Sequence, residues 1–298
     1  MKQKFFLRDR QYLILFLLPS IIVLMIFTIF PLIYSLRISF TDWDLIKEGS
    51  INNFIGFRNY IELFKSSGFW SSLLVSAQLT IGGVTGSMII GTALGFLLYQ
   101  KLRGTSIIRT LIISAMIMTP VVVGITWRLM YNADWGIINY LLDVVGIGGK
   151  AWLAQSSTVI GAIIVTDIWQ WSPLVMIIVL AGLQGLPDEI YEAAKVDGAS
   201  HWHAFWYITI PLLKPVLVLA LLIRLMDSFR IFDIIYVMTA GGPGNASQNL
   251  NVLMYNIGFE FFKISKAAAL AIISVIIVTV ISSYLIKIIK RKDDTGLW

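Results

Sequence analysis

Six long apolar runs, separated by shorter stretches where charge, proline and glycine collect, set the pattern of this chain. They cover residues 11–36, 71–99, 107–128, 159–183, 213–237 and 267–286. A helix needs about 20 mostly apolar residues to cross a hydrocarbon layer of about 30 Å, whereas a membrane barrel shows short alternating strands. The runs are continuous, so the pattern predicts an all-α integral membrane protein with six transmembrane helices. The first run carries no charge between Arg10 and Arg37. It is longer than the apolar region of a cleavable signal peptide and is expected to stay as a helix. An even number of spans puts both termini on one side.

Composition agrees with that class. The 298 residues are 57% hydrophobic and 13% charged, with a mean hydropathy of +0.81, against about 25% charged for a soluble domain. Basic residues gather at Lys2, Lys4, Arg8 and Arg10, at Lys101, Arg103 and Arg109, and at Lys287, Lys290, Arg291 and Lys292. Six spans place all three groups on one side, which retention of Lys and Arg makes the cytoplasm. The net charge of +6 thus reads as topology, and no nucleic-acid partner is expected. Cysteine is absent, which excludes disulfides. His201 and His203 stand two apart, share no helix face and have no acidic partner at ligand spacing, so no metal site is predicted. Asn245-Ala246-Ser247 fits a glycosylation sequon only as a pattern that chance supplies.

The external connections, residues 37–70, 129–157 and 238–266, are too short for a domain, which usually exceeds about 50 residues. Capture of a solute outside the membrane therefore falls to another protein or to a cavity within it. Segments 54–60 and 135–142 read as short helices at the outer interface, where Trp and Tyr are favoured.

Inside the spans, Gly82, Gly83 and Gly86 suit close helix packing, while Pro31, Pro120 and Pro173 each remove a backbone donor and predict kinks. Pro173 follows Asp167, Trp169, Gln170 and Trp171, a polar and aromatic patch that suits a helix lining a substrate path. The fifth span holds Arg224, Asp227, Arg230 and Asp233. A charge at mid-membrane costs on the order of 3 kcal/mol, so these residues must face protein, one another or water. Spacing by three predicts the pairs Arg224 with Asp227 and Arg230 with Asp233. Such pairs could be neutral supports or the lining of a hydrophilic cavity, and Arg224 and Asp227 are candidates for the path.

Between the fourth and fifth spans, Leu186-Pro187-Asp188-Glu189 reads as a helix start, with proline in the first turn and carboxylates at the positive end of the dipole. Glu192, Ala193 and Ala194 give a small-residue surface, Asp197 and Gly198 close the helix, and Ser200 can cap a second one. The pattern predicts a charged elbow on the cytoplasmic side. The stretch EAAKVDGASHWHAFWYITIPLLKP, residues 192–215, resembles the EAA loop of binding-protein-dependent ABC importer permeases. LFLLPSIIVLMIFTIFPLIYSLRISFTDW, WRLMYNADWGIINYLL and FDIIYVMTAGGPGNAS are similar to the carbohydrate branch of that family, in the subunit of the maltose-type F and lactose-type permeases.

That resemblance implies a type I importer fold and a cell-membrane location in a bacterium or archaeon. It also implies a second permease subunit in a heterodimer, two cytoplasmic ATPases seated on the EAA loops, and an external solute-binding protein. Glu192, Ala193, Ala194, Asp197 and Gly198 would then form the ATPase-coupling helix. The chain has no phosphate-binding GxxxxGK[ST] motif, since Gly149-Lys150 is followed by Ala151 and Val144 stands where the first glycine belongs. ATP and Mg are accordingly expected on the partner ATPase, with no cofactor and no catalytic residue on this chain. The implied organisation is a tail, first helix and external loop over residues 1–70, a permease domain over 71–289 with its loop at 186–212, and a tail over 290–298. The expected cargo is a disaccharide or oligosaccharide. A glycerol phosphate, or an ion-coupled carrier using Asp167 or Asp227, are the alternatives.

Overall fold

The computed structural model describes residues 14, 16–47, 53–100 and 104–293, without the side chains of His201 and residues 288–293. Lys2, Lys4, Arg8, Arg10, Lys101 and Arg103, and the side chains of Lys290, Arg291 and Lys292, lie outside this description. The helices are α1 (Phe16–Ile38), α2 (Arg58–Lys65), α3 (Ser67–Tyr99), α4 (Thr105–Ile117), α5 (Pro120–Met130) and α6 (Ile137–Val144). There follow α7 (Val159–Gln184), α8 (Asp188–Val196), α9 (Trp202–Phe229), α10 (Asp233–Thr239), α11 (Leu250–Tyr255) and α12 (Ile264–Asp293). Among the described residues the one β contact pairs Thr41 with Phe54. The helix expected at 54–60 starts only at Arg58, because Phe54 is held in that bridge.

Helices α1, α3, α7, α9 and α12 are long and apolar enough to cross a membrane. The third run departs from a single rod. It breaks into α4 and α5, bent by 100°. The residue before a proline is pushed out of the helical region, and Thr119 before Pro120 takes φ −64° and ψ 143°. Proline then opens the new helix, where its missing N–H leaves nothing unpaired. Gln170 closes the gap, donating its Nε2 to the Met118 carbonyl oxygen at 3.1 Å.

The fifth run also differs from its expected bounds, 213–237. Helix α9 begins at Trp202, passes through a π turn at Phe205–Thr209 and stops at Phe229; the chain resumes as α10. Neither glycine nor proline marks that break. Two asparagines near α11 hold it open: Asn249 donates to the Ile231 carbonyl at 2.6 Å and Asn251 to the Phe229 carbonyl at 3.0 Å. A carbonyl freed inside a membrane must find a donor in the protein, and these amides supply it.

The helices group into two compact units, residues 1–67 with 254–276, and residues 68–253 with 277–298. In the first, Asn59 donates to the carbonyls of Ser39 and Thr41 at 2.9 Å each, and Ser265 joins Thr41 and the Trp43 N–H. In the second, α7 is the spine. Val159, Ala162 and Ile163 pack with Val75 and Leu79 of α3, Val123 and Trp127 of α5, and Ile234, Ile235 and Met238 of α10. Lipid is as apolar as these side chains, so their fit rather than their removal from water holds the helices together.

Candidate functional site

Helix α3 approaches α7 along a stripe of glycines. A Cβ on Gly91 would lie 2.6 Å from the Ser172 carbonyl oxygen, one on Gly82 would lie 2.5 Å from the Ile164 side chain, and one on Gly83 would strike the Asp167 carboxylate. Small residues at these positions let the two backbones close, which is the packing role expected for Gly82, Gly83 and Gly86.

Arg224 enters this seam from α9 and is fully buried. Its Nη2 donates to Asp167 Oδ2 at 2.7 Å and its Nε to Ser87 Oγ at 3.1 Å. Its guanidinium carbon lies 5.6 Å from the centroid of the Trp171 ring, within cation–π range. The pairs predicted from spacing are therefore not the pairs that form. Arg224 faces the α3 and α7 side of its helix, where the buried carboxylate is Asp167, and a buried charge must be matched where it lies. Asp227 accepts instead from Arg230 Nη2 at 3.2 Å. Arg230 and Asp233 stand on opposite sides of the break after α9, so no shared helix face brings them together.

Asp167, Trp171, Asp227, Arg230, Phe232 and Asp233 line one cleft of about 370 Å³. Of the six candidates for the path, Asp167, Trp171 and Asp227 border this cleft, and Arg224 reaches it through Asp167. Trp169 points elsewhere, its ring 5.7 Å from that of Trp127, beside a separate apolar cavity of about 560 Å³. Gln170 has no exposed surface and serves the α4 to α5 break.

The elbow has the two-helix form its sequence predicts, except that Pro187 is the extended N-cap and not part of the first turn. Asp188 and Glu189 occupy the first turn of α8 and Lys195 the last, each matching the sign of the dipole at its end. Gly198 follows at φ +77°, a left-handed position that side chains disfavour. Ser200 Oγ accepts from the His203 N–H at 3.2 Å, capping the next helix. No side chain of α8 is buried; Glu192, Ala193, Asp197 and Gly198 are exposed and Ala194 is half-buried. The elbow is nonetheless anchored. The Tyr191 hydroxyl lies 3.0 Å from Thr209 Oγ1, at the end of the π turn in the first part of α9, and Leu186 packs on a core formed by Val175, Val179 and Leu183 of α7 with Leu213 and Ala220 of α9.

Residues 9–292 match the family described as binding-protein-dependent transport system inner membrane component. The chain belongs to this family. The permease is 36% identical over 271 residues to the probable ABC transporter permease protein y4oQ of Sinorhizobium fredii, which covers 91% of this chain and 87% of the relative. It is 36% identical over 250 residues to the trehalose/maltose transport system permease protein MalF of Thermococcus litoralis, covering 84% of each. In three dimensions it matches a chain of a bacterial ABC transporter involved in the import of the acidic polysaccharide alginate. The TM-score is 0.84 and the identity 21%, over 98% of this chain and 99% of that one. The all-α type I importer permease fold and a multi-pass place in the inner membrane follow.

Two residues of the permease site escape sequence reasoning, Ser87 in the buried seam with Arg224 and Phe232 in the cleft. Ser87 stands four residues after Gly83 and four before Gly91, on the same face of α3; that spacing is the signal that could have found it. Phe232 has no such signal, because only the break after α9 turns it into the cleft.

Proposed function

We propose that this permease forms half of the translocation path of an ATP-driven sugar importer, probing the cargo at the cleft and receiving the stroke of a cytoplasmic ATPase at α8. The observation that carries this reading is α9 itself. One helix of 28 residues, about 40 Å long at 1.5 Å per residue, joins the elbow at Trp202 to Asp227 beside the cleft. A displacement at one end is delivered to the other.

On this reading both termini and α8 are cytoplasmic. A second permease subunit completes the path, two ATPases hold ATP and Mg, and a solute-binding protein delivers the cargo; this chain catalyses nothing. Glu192, Ala193, Ala194, Asp197 and Gly198 present the surface that an ATPase groove grips. Closure of the ATPases on ATP draws α8 and the anchored start of α9 together, and the cleft exchanges outward for inward access as a shift between two populations. The names of the relatives support a sugar, as does the aromatic face of Trp171 among polar groups. The phosphate-ester alternative needs a free guanidinium, and Arg224 is committed to Asp167 at 2.7 Å. The same pairing leaves Asp167 without the free carboxylate that an ion-coupled carrier would use.

The test is Glu192→Lys and, separately, Gly198→Pro in the reconstituted assembly. Both variants should insert and assemble in normal amount but lose substrate-stimulated ATP hydrolysis. Unchanged hydrolysis and uptake in both would overturn the coupling assignment.

A further inference from the structure

The fold does not decide the charge of the cargo, since a chain of the same fold serves the import of an acidic polysaccharide. Side chains in the cleft must decide it. Here the cleft is bordered by the carboxylates of Asp167, Asp227 and Asp233 and by one guanidinium, that of Arg230. Arg224, the second cation nearby, is screened from the cleft by its pairing with Asp167, both side chains being almost fully buried. Arg230 is masked by Asp227 at 3.2 Å. With each guanidinium matched by one carboxylate, Asp233 is left as the surplus charge.

We propose that this cleft is an anion-rejecting filter, that the permease passes uncharged sugars, and that Asp227 and Asp233 are its specificity-determining residues. Both act through charge. Asp227 cancels a cation that would otherwise recruit a carboxylate or sulfonate, and Asp233 makes the local potential negative. A cleft with walls of low dielectric concentrates such a field. The claim rests on the cleft being part of the path, and it adds what the path excludes.

The chain contains no cysteine, so a single introduced thiol reports on the cleft alone. Phe232→Cys, and Ile231→Cys as a second reporter whose residue also lines the cleft, would be placed in the assembled transporter in membrane vesicles. Each would be treated with a trimethylammonium-ethyl and with a sulfonatoethyl methanethiosulfonate, and modification of this chain read by mass spectrometry. The cation-to-anion rate ratio should exceed that of a free thiol. Asp227→Asn and Asp233→Asn should each lower it by about tenfold at low ionic strength, less in salt, because removing one charge acts oppositely on the two reagents. A ratio equal to that of a free thiol, a ratio unmoved by both variants, or reporters that a neutral methanethiosulfonate cannot reach would each overturn the filter. Protection of the same thiols by maltose, and its uptake, test the sugar reading separately. A filter without protection or uptake would sink that reading and leave the charge assignment standing.

Discussion

Two aspartate–arginine pairs of the permease share their chemistry and differ in their surroundings. In the seam between α3, α7 and α9, Arg224 and Asp167 keep 0% and 4% of their side-chain surface exposed; at the edge of the cleft, Arg230 and Asp227 keep 69% and 35%. The buried pair ties together three helices, with Ser87 as its third member and Trp171 over the guanidinium. Neither charge can be removed alone without stranding the other in a medium of low dielectric. The exposed pair is solvated and contributes little to stability. One pair positions the helices, and the other, on the proposal above, sets the potential of the cleft.

The largest effect expected from breaking this contrast is that of Arg224→Ala, which leaves Asp167 buried without its partner and should cost about 3–5 kcal/mol. Loss of monodisperse protein and a lowered unfolding temperature in detergent would show it. Combining Arg224→Met with Asp167→Leu should recover most of the loss, since matched apolar replacements remove both charges together. A single variant as stable as the parent would erase the distinction between the two pairs.

Next comes the backbone approach that makes the seam. Gly91→Ala sets a methyl against the Ser172 carbonyl, which is backbone and cannot swing away, and should cost about 1–3 kcal/mol. Gly161, in the same α7, has nothing within 4 Å of its Cβ position. There Gly161→Ala should be neutral or stabilising by about 0.5–1 kcal/mol, as alanine is in a helix interior. Comparing unfolding temperatures of the two variants checks this, and equal losses would remove the seam from the argument.

Arg230→Ala should then cost only about 0–1 kcal/mol, the range of exposed pairs. A loss as large as that of Arg224→Ala would show that exposure does not separate the two.

The smallest effect belongs to a third, exposed cluster in the other unit, where Glu62 accepts from Arg58 at 3.0 Å and from Lys266 at 3.2 Å. Burial raises the carboxyl, but the hydrogen bonds and charges of Lys266 and Arg58 outweigh it and hold Glu62 below its ordinary 4.5. A lowered value means that the charged form favours the fold. The contribution is complete above 4.5 and is lost as pH falls through the folded-state value. With 43% of the side chain exposed, it should amount to a few tenths of a kcal/mol, by about the weight of surface pairs. Between about pH 7 and about pH 4 the parent should lose slightly more stability than Glu62→Gln. An equal loss in both would assign the cluster no role.

Much of the elbow was legible because its signals are local. Proline ahead of two carboxylates, a glycine at the left-handed turn and a serine three residues before His203 each act within one helical turn. Five of the six spans were legible for a related reason, since the length of an apolar run answers to the thickness of the bilayer; the third divides at Pro120 into α4 and α5. Where the prediction strayed, the cause lay elsewhere in the chain. The end of α9 is held by Asn249 and Asn251, some twenty residues on. Gln170 looks like part of a path by its neighbours, yet it is fully buried and its amide nitrogen donates to the Met118 carbonyl across a bend made by Pro120.

What the sequence determines by itself is therefore the helical membrane class, five of its spans and the form of the elbow, because hydropathy, caps and breakers act on neighbouring residues. Which carboxylate Arg224 takes, which aromatic ring faces the cleft and which faces away were decided only by tertiary structure. A charge three residues along a helix is close in sequence, but Asp167 is the one lying on the face where Arg224 is buried, and inside a membrane a guanidinium must be matched on the face it occupies.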